Sequence, residues 1–253
     1  MPKVKFCFED LEFDKSESSV KIHQRETIKP KDKFQIENFK WTHKQKKFIE
    51  LALRKETQVV LTTGPAGSSK TLLATFCALQ LLNQQRVSDI IYMRSAVESS
   101  DARLGFLPGD ADEKLHYYNL PFMDKLDELL SPSTLKNLHK DNRLSIHPVN
   151  FARGMNWNAK CIIFDECQNS SIKEIITVLT RVGKFCKVFL LADPDQTDLK
   201  NGNKGGFLKI YNLLNDSKSK NKGIHNFEFS HEDIVRSELV KYLSERFKEL
   251  ALN

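Results

Sequence analysis

No stretch of this 253-residue chain is apolar for long enough to cross a bilayer. The longest apolar run, over residues 187–193, is about a third of a membrane span. The opening MPKVKFCFED lacks the apolar core of a secretory signal, so no membrane association and a cytoplasmic location are expected. CxxC spacing is absent as well. The five cysteines (Cys7, Cys77, Cys161, Cys167 and Cys186) are odd in number and fall mostly in apolar runs. They read as small buried hydrophobes in a reducing compartment and argue against a zinc site. Neither an internal repeat nor an aromatic RNP motif for RNA is visible. With 40% hydrophobic and 28% charged residues the composition is that of a globular protein, which excludes disorder. The length suits one α/β domain, or one domain and an extension. A net charge of +6 leans toward a polyanionic partner, although a generic basic surface explains it equally well.

What is present is strongly ordered along the chain. Residues 1–38 form an N-terminal extension in which KVKFCF alternates like a strand before SESS and KPKDK interrupt it. Residues 39–253 are regular. THKQKKFIELALRK has a threonine N-cap and helical spacing, QVVLT is a buried strand, and TLLATFCALQLLN is a helix apolar nearly all round. SDIIYMR, LSIHPV, KCIIF, KVFLLA and the segment around NFEFS supply further strands. Helices are expected at ADEKLHYYNLPFMDKLDELL (with Pro121 inside it), SPSTLKNLHK, SIKEIITVLTRV, GGFLKIYNLL and SELVKYLSERFKEL. DSKSKNKG reads as a solvated lysine-rich loop. Strands alternating with helices predict an α/β fold with a mainly parallel sheet covered on both faces.

Between QVVLT and the following helix lies TTGPAGSSKT. Glycines let successive backbone amides curl round phosphate oxygens, and a helix start adds the positive end of its dipole. Gly64, Pro65, Ala66, Gly67, Ser68 and Ser69 would line this cradle, Lys70 would reach the β- and γ-phosphates, and the Thr71 hydroxyl would ligate Mg²⁺. Strict GxxxxGK[ST] is not met, because Ser69 stands where glycine precedes the lysine. That position usually requires positive φ, at a cost of about 1–2 kcal/mol for a non-glycine residue. Taken alone, GPAGSSKT also suits a plain Gly/Ser turn. The preceding strand and following helix are what the phosphate-binding reading demands.

In CIIFDECQN an apolar strand delivers Asp165 and Glu166 to its carboxyl end, where open α/β sheets bind ligands. Asp165 suits the metal and Glu166 the attacking water. Acidic residues are also common at helix starts, so the pair alone would equally fit a strand-to-helix turn. LLADPDQTDL repeats the layout with Asp193 and Gln196. Gln196 could sense the γ-phosphate, or the segment could be a simple Pro-Asp turn.

In this order, the phosphate loop, RSAVESSDARLGFLPGD, FARGMNW, IIFDECQN, LADPDQTDL and DIVRSELV resemble the PhoH family of P-loop ATPases across about residues 40–250. The short form with a divergent N-terminus looks like a bacteriophage version, which would act in the host cytoplasm. The family is similar to the first RecA-like domain of superfamily 1 helicases, and a RecA-like P-loop fold is therefore implied. By that likeness Gln45 reads the adenine edge, and Asp193 and Gln196 couple the γ-phosphate to strand binding. Arg236 lies near the γ-phosphate, expected from a neighbouring subunit. Arg94 and Arg153 fall in motifs near the nucleotide or the subunit interface, and a plain surface cation is the competing reading for all three arginines, least so for Arg236. Ser69, Ser95 and Ala192 depart from the family pattern, and Ser69 bears most directly on rate.

These readings converge on an ATPase using ATP and Mg²⁺, with Glu166, Lys70, Gln196 and Arg236 in catalytic roles. One RecA-like domain cannot by itself clamp and release a strand, so work on nucleic acid implies assembly. The resemblance suggests a hexameric ring acting on single-stranded nucleic acid, with RNA favoured. The alternative is a slowly hydrolysing, nucleotide-gated binding module. A small-molecule phosphotransferase fits less well, because Glu166 is placed for water and no acceptor-binding lid is recognisable.

Overall fold

Runs such as VVLTT and KVFLLA are apolar at every position, and only a strand covered on both faces can satisfy that pattern. The computed structural model describes residues 11–13, 20–22, 33–94, 111–152, 154–194, 196, 206–235, 242 and 246. These divide into two units, Met1–Phe34 and Gln35–Asn253. In the first, β1 (Leu11–Phe13) pairs antiparallel with β2 (Val20–Ile22). The strand expected at KVKFCF lies outside the described residues.

The second unit runs α1 (His43–Leu53), β3 (Val59–Thr63), α2 (Lys70–Asn83), β4 (Asp89–Arg94), α3 (Ala111–Leu129), α4 (Pro132–Lys140) and β5 (Leu144–Pro148). It continues through β6 (Lys160–Asp165), α5 (Ile172–Leu179), β7 (Lys187–Ala192), α6 (Gly206–Leu213), α7 (Ser217–Asn221) and β8 (Ile224–Glu228). Six strands form one sheet in the order β5-β4-β6-β7-β3-β8, and every pairing is parallel. All strands therefore present their carboxyl ends along one edge. This is the α/β architecture of a P-loop NTPase, with the sheet wholly rather than mainly parallel.

Both faces are covered. On one, Val59, Leu61, Ile162, Phe164, Val188 and Leu190 pack with Ile175 and Val178 of α5 and with Phe207 and Ile210 of α6. On the other, α2 packs against β4, β6 and β7 and is flanked by α1 and α3. Its residues Leu73 to Leu79 are all buried, which explains an apolar pattern without an amphipathic side. Local sequence signals set the helix starts. Thr42 and Gln45 form a reciprocal capping box on α1, and Ser171 and Glu174 form another on α5.

One expectation needs correction. The lysine-rich DSKSKNKG is not simply a loop, because Asp216 caps the short α7 by accepting from the Ser219 amide. The strand expected around NFEFS is β8, which enters register with Val59 of β3 at Ile224. Most of the expected C-terminal helix SELVKYLSERFKEL lies outside the described residues. None of the helices among the described residues is long and apolar enough to cross a membrane.

Candidate functional site

The strand order places β7 between β3, which ends at the phosphate loop, and β6, which ends at the acidic pair. The crevice outside these carboxyl ends is where open parallel sheets receive ligands. Gly64 leaves β3 at φ 153, and a Cβ there would lie 2.7 Å from Phe229 Cβ and 2.9 Å from its carbonyl oxygen. The loop then turns through Gly67 at φ 87 and Ser69 at φ 64, ψ 24. Ser69 thus adopts the left-handed geometry expected for that position. As the N-cap of α2 it forms no side-chain cap bond, in contrast to Thr42, Ser131 and Ser171 at the starts of α1, α4 and α5. Ser69 itself therefore supplies no side-chain acceptor to this helix start, which suits an anion at its positive end. Pro65, Ala66 and Ser68 complete the turn, and the Ser68 amide and hydroxyl both donate to the Pro65 carbonyl. Lys70 turns its ammonium onto the Gly64 and Pro65 carbonyls at 2.7 and 3.0 Å, so its charge stays at the mouth of the cradle.

Thr71, in the first turn of α2, donates its hydroxyl to Asp165 Oδ2 at 2.9 Å. This bond joins segments 94 residues apart. Asp165 is almost fully buried at the end of β6, its Oδ2 also accepts from the Tyr92 hydroxyl at 3.0 Å, and its Oδ1 accepts from the Glu166 amide at 3.0 Å. A buried carboxylate supplied with three donors is held in a single orientation. Burial, reinforced by the Asp165 charge, pushes the Tyr92 phenol well above its ordinary value, which keeps it a donor.

Glu166 follows in left-handed conformation, φ 55 and ψ 38, which turns its side chain away from the course of the strand. Its Oε1 lies 3.7 Å from the Arg94 guanidinium, at the end of β4, and its Oε2 accepts from Gln168 Nε2. Burial and the Asp165 charge raise its pKa, partly offset by Arg94, Gln168 and Lys70. A carboxylate with raised basicity beside the phosphate loop is chemically suited to take a proton from water.

The segment after β7 joins this cluster through a residue to which the sequence alone assigns no role. Gln168 Oε1 accepts from the buried Asp193 amide at 3.0 Å, and Gln168 Nε2 reaches the Gln196 carbonyl at 3.2 Å as well as Glu166. Asp193 and Gln196 are therefore brought to the acidic pair by backbone contacts, and the Gln196 residue is itself exposed. Gln168 stands in plain view in DECQN, but a short 3-10 turn has no periodicity that reveals where a side chain points. Tyr92 is likewise hidden within an apolar strand.

Gln45 is buried on α1, and its Oε1 accepts from the Thr42 amide at 2.9 Å, so its carboxamide already serves the helix cap. Lys44 beside it pairs with Asp233 at 3.5 Å, and two residues further on the Val235 amide donates to the Gly67 carbonyl at 3.1 Å. The segment before Arg236 thereby straps α1 to the phosphate loop. Arg236 and Arg153 lie outside the described residues.

The residues present fit a metal–triphosphate. Thr71 commits its proton to Asp165 and leaves oxygen lone pairs for a hard cation. Among the described residues, no group of three or more His, Cys, Asp or Glu could form an all-protein metal cage. The oxygen donors Thr71 and Asp165 instead match an ion that shares its ligands with phosphate and water.

The family described as PhoH-like protein matches residues 39–248. A PhoH-like protein of Mycobacterium tuberculosis (strain ATCC 25618 / H37Rv) is 33% identical over 221 residues, covering 87% of this chain and 58% of the relative. A PhoH-like protein of Bacillus subtilis (strain 168) is 33% identical over 197 residues, covering 78% and 60%. Protein PhoH of Escherichia coli (strain K12) is 32% identical over 184 residues, covering 72% and 51%. The chain thus spans less than two thirds of the length of each of these relatives. By the match across residues 39–248 and the parallel P-loop architecture that carries it, this chain belongs to the PhoH-like protein family.

Proposed function

We propose that this chain is a Mg²⁺-dependent ATPase whose turnover is coupled to single-stranded nucleic acid, RNA in preference to DNA, in a ring of identical subunits. The observation that carries the ATPase reading is the Thr71–Asp165 hydrogen bond, which makes the helix after the phosphate loop and the acidic strand one site. Backbone amides of residues 66–71 and the Lys70 ammonium bind the β- and γ-phosphates. Thr71 and Asp165 hold the divalent ion. When bound, the ion neutralises phosphate oxygens that would otherwise repel a nucleophile. Glu166 orients water and accepts its proton, while Gln168 keeps Glu166 in register with Asp193 and Gln196. Loss of the γ-phosphate would then be felt by the segment after β7. The family likeness assigns Gln45 to the base through its Nε2, its Oε1 being held by the Thr42 amide, and an arginine, with Arg236 the candidate, stabilises charge from the adjoining subunit.

Ring assembly and RNA rest on the family likeness and on the positive net charge. A second reading is a nucleotide-gated module with slow hydrolysis. It is favoured by the left-handed Ser69 and by the engagement of Glu166 with Arg94 and Gln168.

Phosphate release measured with and without single-stranded RNA, beside a native mass measurement, tests these readings. RNA-stimulated turnover by an oligomer supports the motor. Nucleotide-dependent RNA binding without turnover supports the module. Lys70→Ala should abolish triphosphate binding, and retention of wild-type affinity and turnover would remove the ATPase assignment altogether.

A further inference from the structure

The acidic centre contains one contact that phosphate chemistry does not require. Tyr92 is fully buried in β4, yet its hydroxyl reaches Asp165 Oδ2, the oxygen that also accepts from Thr71. Its ring lies flat against Phe122 of α3, with centroids 4.5 Å apart and planes inclined by 7°. Phe122 is itself fully buried. The ring therefore has little freedom to tilt, and the hydroxyl is delivered to a defined point.

A carboxylate fixed through Oδ1 alone could still rotate about its last torsion. With the Glu166 amide on Oδ1 and Tyr92 and Thr71 on Oδ2, the plane of Asp165 is determined from both oxygens. Thr71 must also serve as a ligand, so its hydroxyl is the least constant of the three. Tyr92 is the donor anchored outside both the phosphate loop and the acidic turn. Partners of this kind govern how well a ligand meets its metal.

We propose that Tyr92 is a positioning residue for the divalent ion: its hydroxyl, steadied by the Phe122 ring, orients the Asp165 carboxylate. This rests on the metal–triphosphate reading of the site. It also makes Phe122 of α3 part of the metal site's support.

Tyr92→Phe removes the hydroxyl and keeps the ring. Mn²⁺ binding to the complex of the protein with a non-hydrolysable ATP analogue, followed by the spin resonance of free Mn²⁺, should weaken about ten-fold. Analogue affinity in EDTA should match wild type, and the Mg²⁺ concentration giving half-maximal phosphate release should rise in parallel. Phe122→Leu, which retains the hydroxyl but frees the ring, should shift Mn²⁺ affinity in the same direction by less. Unchanged Mn²⁺ affinity in Tyr92→Phe with a native melting temperature would overturn the proposal. Should that variant melt below the assay temperature, unchanged affinity in Phe122→Leu does so. A wild-type protein that binds the analogue but shows no Mn²⁺ site would defeat the metal reading first, and this inference with it.

Discussion

Gln168 and Asp193 are tied across the carboxyl ends of β6 and β7: the Asp193 backbone amide donates to Gln168 Oε1 at 3.0 Å. The other end of the same carboxamide holds Glu166 and the Gln196 carbonyl. One side chain thus spans Glu166, the carboxylate proposed to activate water, and the loop proposed to report on the γ-phosphate. Its removal should separate stability from catalysis. Gln168→Leu strands a buried amide, which costs about 1–3 kcal/mol, and should lower the melting temperature by several degrees and slow hydrolysis. Gln168→Glu keeps an acceptor for Asp193 but places a second carboxylate beside Glu166. It should preserve more of the stability while still losing rate. Thermal melting and single-turnover phosphate release check both, and two variants that hydrolyse like wild type would remove the link.

The environment of Glu166 gives a pH dependence whose sign can be worked out. Burial comes first and the Asp165 charge second, and both favour the neutral acid. Water activation requires the carboxylate, so the acid limb of the rate profile should lie above the ordinary range for glutamate. Arg94 pulls in the opposite direction. Arg94→Ala should therefore move the limb further up and depress turnover most in mildly acidic buffer. The native state holds this proton more tightly than the unfolded chain does. Its contribution to stability accordingly falls as pH rises from the unfolded value to the folded one, and Glu166→Gln should flatten that dependence. A limb that does not move in Arg94→Ala would show that the ion pair does not reach the reacting group.

Glu166→Gln also tests the chemical role directly. It should leave nucleotide affinity near wild type while lowering hydrolysis by about 10²–10⁴, the usual contribution of a positioned base. Equilibrium binding and phosphate release measured on one preparation decide the matter, and normal turnover would reassign the water to another group.

Ser69 holds a left-handed conformation without the freedom of glycine. Ser69→Gly should relieve strain of about 1 kcal/mol, partly offset by greater freedom of the unfolded chain. The expected result is tighter nucleotide binding or faster turnover, measured by calorimetry and steady-state assay. No change in either would mean that the loop accommodates serine without functional loss.

Gly64 should tolerate nothing larger. A Cβ at its φ of 153 would lie within 3 Å of both the Cβ and the carbonyl oxygen of Phe229, whose amide is anchored on the Thr63 carbonyl at 2.8 Å. Because backbone and an anchored side chain oppose it, Gly64→Ala should displace the loop or the strap. Lower thermal stability and weaker nucleotide binding should appear together. A variant with both properties intact would show that the strap yields easily.

Much of the architecture is legible in the residues themselves, and particular positions explain where that legibility stops. Thr42 and Ser171 mark helix starts because their caps act within three residues. Continuous apolar runs announce strands buried on both faces, and TTGPAGSSKT between strand and helix announces a cradle. The short α7 escapes notice because one Asp216 cap on five residues produces no periodic signal. Gln168 and Tyr92 escape it for a different reason. Each acts through one long-range contact, and nothing in its immediate neighbours distinguishes it from a turn residue or a core aromatic.

The amino-acid sequence by itself determined the strand–loop–helix units, the left-handed demand on residue 69 and the chemistry available at residues 64–71 and 165–166. These depend on backbone sterics and side-chain identity within a few residues. Only the tertiary structure decided that Thr71 and Asp165 share a hydrogen bond, that β7 intervenes between their strands, and that Tyr92 and Gln168 brace the two carboxylates. Strands apolar on both faces carry no local preference for a neighbour. Their order emerges only when α2 and α3 on one side and α5 and α6 on the other are packed at once.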